Sequence, residues 1–150
     1  LEIKPAIQNY CQYSERCHKD VRNKLYELGC TTPEVERQIA DLIDIGLLNE
    51  ERYAKAFARG KFRTLQWGKV KIIHQLKAHQ VSAYCIKKAL KEIDDDDYAA
   101  MLHKLAGKKW TSLKGERNQP TKKAKTYAYL LQKGYERDMV MDAINKLKDQ

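Results

Sequence analysis

Acidic side chains are absent from a long stretch of this chain. Between Glu51 and Glu92 there is no Asp or Glu, while eleven Lys or Arg residues occur from Arg52 to Lys91. Helix breakers are scarce, with seven Gly and three Pro in 150 residues, which favours helix over a turn-rich β fold. The four cysteines, Cys11, Cys17, Cys30 and Cys85, form no CxxC pair and no Cys/His spacing that closes a zinc site. A chain of this size needs no disulfide staples, and no signal-peptide pattern opens it, so the thiols are expected to be reduced and the protein cytoplasmic. The chain begins at Leu1 rather than at methionine, which leaves room for a natural start upstream. No apolar run approaches the roughly 20 residues that span a bilayer.

Catalytic signatures are missing as well. No phosphate-binding GxxxxGK[ST] or GxGxxG loop is present. His74 and His79 are five apart on one expected helix and point in different directions, while His18 and His103 are isolated. Asp94 to Asp97 are consecutive; such residues entering a helix do not converge on one ion, and they suit a helix N-terminus. These features predict a protein that is not an enzyme and has no cofactor or metal.

What is present is helical periodicity, repeated three times. Leu25 is followed by Gly29 and Cys30, then by apolar Val35, Ile39 and Leu42. The same offsets give Leu76, Gln80, Val81, Ile86, Leu90 and Ile93, and again Leu130, Gly134, Tyr135, Val140, Ile144 and Leu147. An earlier helix precedes each pair, so the expected fold is all-α: three tandem three-helix repeats, each helix-turn-helix-like, in an elongated, curved row. The expected boundaries are 1–48, 49–93 and 94–150, with a loop near 106–120 where Gly107, Gly115, Asn118 and Pro120 fall. Asn49 is the expected N-cap of a helix over 50–63.

Charge is distributed unevenly across these repeats. The first has six basic and eight acidic residues, the second eleven and three, the third twelve and nine. The net charge of +9 is therefore concentrated in the middle, where a positive field attracts polyanions or an acidic protein surface. Lys55, Arg59 and Arg63 are spaced by four along one helix face, with Lys61 beside them. Lys69 and Lys71 flank Val70 at the start of the next helix. Trp67 serves either as core or as an exposed stacking ring. Arg117, Lys122, Lys123 and Lys125 form a second basic cluster. The competing reading of these runs is a solvated helical face.

The run Leu47-Leu48-Asn49-Glu50-Glu51-Arg52-Tyr53-Ala54, followed by Phe57, Arg59, Lys61, Trp67-Gly68-Lys69-Val70-Lys71-Ile72 and Leu76, resembles the RecX family of recombination regulators. Leu25-Tyr26-Glu27-Leu28-Gly29 and Leu131-Gln132-Lys133-Gly134-Tyr135 are similar to that family's outer repeats. Two departures are Asn49, where the family often has Asp, and Gln80, where a turn glycine is usual. The resemblance implies a bacterial cytoplasmic protein that binds the RecA filament on single-stranded DNA. It also implies inhibition of RecA ATPase, filament extension and strand exchange, without hydrolysis of its own, in DNA repair and the SOS response. A monomer with weak, non-specific DNA contact is expected; an autonomous helix-turn-helix DNA-binding protein is the alternative.

Overall fold

A computed structural model describes residues 2–148, the side chain of Lys148 aside. Among these residues there are nine α-helices and no strand. They are α1 (Ile3–Tyr13), α2 (His18–Glu27), α3 (Thr32–Asp44), α4 (Glu50–Leu65), α5 (Lys69–Ala78), α6 (Ala83–Leu90), α7 (Asp95–Ser112), α8 (Gln119–Lys133) and α9 (Arg137–Lys148). The all-α reading and the division into three helix triples both hold.

One backbone turn recurs in every triple. Gly29, Gln80 and Gly134 have φ of 94°, 61° and 101°, the left-handed conformation that ends a helix. The next amide donates to the carbonyl five residues back each time: Cys30 to Leu25 at 3.1 Å, Val81 to Leu76 at 3.0 Å and Tyr135 to Leu130 at 3.2 Å. All three anchor leucines are fully buried, each contributing about 1.5–3 kcal/mol of apolar burial. Gln80 takes up the left-handed backbone despite its side chain, so this departure from glycine preserves the turn at a strain of about 1–2 kcal/mol.

Side-chain caps start several of the helices. The Arg52 amide donates to Asn49 Oδ1 at 2.9 Å, Asp97 to Asp94 at 3.0 Å and Thr121 to Asn118 at 3.1 Å. Asp94 therefore behaves as an N-cap, satisfying an amide that the helix leaves open. The cap of α2 is Cys17, whose Sγ accepts from the Asp20 amide at 3.4 Å. The connection expected over 106–120 is shorter than anticipated: α7 continues through Gly107 to Ser112, leaving only 113–118 between helices. Leu102, Leu105 and Ala106 are buried along α7, and that apolar face carries the helix past its glycine.

The chain divides into two compact units. Unit 1 comprises Leu1–Phe57 and Gln75–Leu90, and unit 2 comprises Ala58–His74 and Lys91–Gln150, so α4 and α5 each contribute to both. The core of unit 1 includes Ile7, Val21, Leu25, Val35, Ile39, Leu42 and Leu48. Glu50 accepts from the Ser82 amide at 2.7 Å, capping the start of α6. Burial raises the Glu50 carboxyl pKa, yet hydrogen bonds from Ser82 outweigh that and bring it below its usual value. In unit 2, α7, α8 and α9 pack against one another. Tilted ring pairs sit in the core, with centroids 5.9 Å apart for Phe62–Tyr98 and 5.1 Å for Tyr98–Tyr135.

Candidate functional site

The two units differ in charge far more than in size. Unit 1 has eleven Lys or Arg against ten Asp or Glu, net +1, while unit 2 has eighteen against ten, net +8. Arg59, Lys61 and Arg63 of α4 and the cations of early α5 thus join those of α7 and α8, while Arg52 and Lys55 of α4 and the lysines from Lys77 onward in α5 and α6 join the acids of the N-terminal helices. Several of unit 1's cations have acid partners, as in Arg52–Glu15 at 2.5 Å, Arg22–Glu36 at 3.2 Å and Lys55–Glu51 at 3.0 Å.

Within unit 2 the distinctive geometry is the linker between α4 and α5, residues 66–68. Gln66 has φ of 61°, turning the chain sharply after α4. The Gly68 amide donates to the Lys133 carbonyl at 2.8 Å and the Val70 amide to the Gly134 carbonyl at 2.9 Å, so the linker docks on the end of α8. Lys133 Nζ donates to the Leu65 carbonyl and the Tyr135 hydroxyl to the Gln66 carbonyl, both at 2.9 Å. A Cβ on Gly68 would fall well inside contact distance of the Gly134 carbonyl, and one on Gly134 would strike Lys71. Glycine stands at both positions because two backbones meet there.

This docking holds Trp67 half-buried, with Lys71 Nζ 4.6 Å and Lys61 Nζ 5.2 Å from its ring centroid. The indole gathers one ammonium from α4 and one from α5 into a single cationic head, each contact worth about 0.5–1 kcal/mol at an exposed site. Beside it, Lys71, Tyr129, Gln132 and Lys133 line a shallow notch of about 220 Å³. The same pairing recurs nearby, with Lys109 Nζ 5.2 Å from the Tyr129 ring and Lys122 Nζ 4.3 Å from the Trp110 ring. Lysines interleaved with rings suit phosphates, carboxylates and flat bases together.

The remaining expected residues fall as follows. Lys55 lies in unit 1 against Glu51, and Arg59 in unit 2 against Glu92 at 2.6 Å. Two members of the anticipated ridge are thus partnered by acids bordering a stretch that has none of its own. Arg63 and Arg117 are exposed. Lys69 sits 3.7 Å from Asp95 and 4.6 Å from the Tyr98 ring centroid, and Lys125 lies 3.5 Å from Glu116. Lys123 lines an apolar hollow of about 290 Å³ with Pro120, Ala124, Tyr127 and Met141. The fold brings Lys61, Trp67 and Lys71 together and adds Lys109, Trp110, Tyr129 and Lys133, which sequence reasoning passed over. A signal for these existed in the alternation of Lys with Tyr and Trp across α7 and α8.

Among the described residues, no group of three or more His, Cys, Asp or Glu is arranged to hold a metal ion. Nor is any helix there long and apolar enough to cross a membrane.

Comparison with known proteins places this arrangement. Residues 49–90 match the family description "RecX, second three-helix domain" and residues 95–144 "RecX, third three-helix domain". A protein named regulatory protein RecX from Clostridium perfringens (strain 13 / Type A) is 32% identical over 148 residues, covering 98% of this chain and 69% of that protein. Another from Prosthecochloris aestuarii is 26% identical over 138 residues, covering 92% of this chain and 88% of its own. The crystal structure of RecX from Lactobacillus salivarius superposes with a TM-score of 0.87 at 26% identity, covering 99% of this chain and 96% of that one. With a third of its residues shared over nearly its whole length, and the linker and basic helices inside the matched blocks, this chain belongs to the RecX family of regulatory proteins.

Proposed function

We propose that this protein binds the filament that the RecA recombinase forms on single-stranded DNA. Docking there impedes filament extension and strand exchange and lowers the recombinase's ATPase, with no hydrolysis by this chain. The observation that carries the proposal is the concentration of charge in unit 2, net +8, around the Trp67–Lys61–Lys71 head. A nucleoprotein filament offers phosphates together with acidic protein surface, and a face of ammoniums and rings engages both. Family membership supports the same reading. The protein works in the cytoplasm as a monomer, and residues 1–48, 49–93 and 94–150 act as its three repeats.

The test is a titration of cognate recombinase on poly(dT), following ATP hydrolysis. Hydrolysis is expected to slow at near-stoichiometric or lower ratios, and unaltered hydrolysis together with unaltered strand exchange would sink the proposal. Lys61→Glu with Lys71→Glu is the informative variant. Arg59 is a poorer choice, because a new acid there would face Glu92 and disturb folding. A strong sequence-specific footprint on naked duplex would favour the helix-turn-helix alternative. Weak, salt-sensitive, sequence-independent retention of DNA fits the filament reading.

A further inference from the structure

We propose that Tyr98, Tyr135 and Glu136, none of which belongs to the cationic face, are positioning residues that hold the Trp67 linker in its binding geometry. This rests on the filament reading above and concerns how the same face is built. The two phenols are buried, with only 2% and 1% exposure, and their rings pack tilted against each other with centroids 5.1 Å apart. Their hydroxyls take hold of the two sides of the linker. Tyr135 donates to the Gln66 carbonyl at 2.9 Å, before Trp67, and Tyr98 accepts from the Lys69 amide at 2.9 Å, after it.

Glu136, just before α9, accepts the proton of the Tyr98 hydroxyl, which leaves that oxygen's lone pairs for the Lys69 amide. Burial, reinforced at Tyr98 by Glu136, pushes both phenols well above their usual pKa. Both therefore stay protonated and able to donate. Lys69 Nζ lies over the Tyr98 ring, so ring and hydroxyl hold the same residue. Between these two fastenings the chain has only Trp67 and Gly68 to place, and the Gly68 amide is tied to Lys133. The direction of the indole, and with it the positions of the Lys61 and Lys71 ammoniums, follows from the cradle. Neither tyrosine was chosen for chemistry of its own; each acts through Trp67.

The experiment uses the full chain labelled with 5-fluorotryptophan, whose two fluorine resonances are assigned with Trp110→Phe. Tyr135→Phe keeps the ring and removes only the oxygen. It is expected to shift or broaden the Trp67 resonance and leave that of Trp110 in place. Filament affinity should weaken roughly three- to tenfold, the scale of one lost hydrogen bond, with the helical circular dichroism unchanged. Glu136→Ala should reproduce the shift, and Glu136→Gln, whose amide oxygen still accepts from Tyr98, should largely restore the native resonance and affinity. Tyr26→Phe in unit 1, where the lost hydroxyl contacts Thr32, should alter neither.

An unmoved Trp67 resonance in both Tyr135→Phe and Glu136→Ala would overturn the proposal. So would a moved resonance with native affinity, if Trp67→Ala itself weakens binding. A Trp67→Ala protein that binds filaments normally would remove the face from function, and the positioning role with it, whatever the resonances do.

Discussion

Unit 1 and unit 2 reach similar helical architecture from different electrostatic starting points. Unit 1 is nearly neutral, with Arg22, Arg52 and Lys55 each beside a glutamate. Unit 2 has an excess of eight positive charges; Arg59, Lys69 and Lys125 there also lie beside carboxylates, and Lys71, Lys109 and Lys122 lie over aromatic rings. An ion pair at a surface neutralises a cation at little gain in stability. A ring contact fixes the cation and leaves its charge uncompensated. Both kinds of contact occur in both units, so the contrast lies in net charge, +1 in unit 1 against +8 in unit 2.

The largest effect expected from testing this contrast is at the shared turn. Gly134→Ala and Gly68→Ala each place a Cβ where two backbones touch, and should cost about 3 kcal/mol or more in urea unfolding. The equivalent Gly29→Asn in unit 1 meets open space, and Asn tolerates the left-handed backbone, so about 1 kcal/mol is expected. Equal costs in the two units would erase the distinction drawn from the docked linker.

Next in size is binding. Lys61→Glu with Lys71→Glu should weaken inhibition of the recombinase ATPase by about tenfold or more, since reversal replaces attraction with repulsion at a phosphate or carboxylate. Lys87→Glu with Lys88→Glu, the same charge change in unit 1, should alter it by roughly threefold or less through the long-range field alone. A reversed ranking would move the interface to unit 1.

Tyr98→Phe should lower the stability of unit 2 by about 1–3 kcal/mol, because the Lys69 amide and Glu136 both lose their buried partner. Differential scanning calorimetry reads this directly. A smaller, pH-dependent effect is expected in unit 1. The folded-state pKa of Glu50 is depressed, so its contribution is complete above its unfolded value of about 4.3 and disappears as pH falls through the lower folded value. Glu50→Gln should flatten that acid limb while leaving stability at pH 7 to report only the lost charge.

The smallest expected signal is thiol chemistry. The Cys17 thiol is pushed up to about 11, chiefly by burial, and Cys11, Cys30 and Cys85 are buried as well. Aromatic disulfide reagents should leave all four unreacted in the folded protein at pH 8, and rapid labelling would contradict this packing.

Much of this was legible in the chain alone. The apolar spacing after Leu25, Leu76 and Leu130 specifies three copies of one turn, and each copy forms it with the same backbone hydrogen bonds. Asn49 and Asp94 cap the helices that follow them, since capping depends on a side chain and amides only three residues away. The basic stretch was equally plain, and so was the Trp67-Gly68 pair. The acid partner of Arg59 was not, because Glu92 meets it across thirty-three positions of sequence. The length of α7 was also misjudged, since buried Leu105 and Ala106 outweigh the helix-weakening preference of Gly107.

The sequence by itself determined the helices, their triple repetition and the total positive charge, all of which depend on neighbours within a few turns. Tertiary structure alone decided where that charge is presented. It divided α4 and α5 between two units, set Lys61 and Lys71 over one indole, and tied the linker to Lys133, Gly134 and Tyr135. The linker's contacts join residues more than sixty positions apart. No local preference encodes such a meeting; it arises only when the cores have packed and the backbones at Gly68 and Gly134 lie close enough to exchange hydrogen bonds.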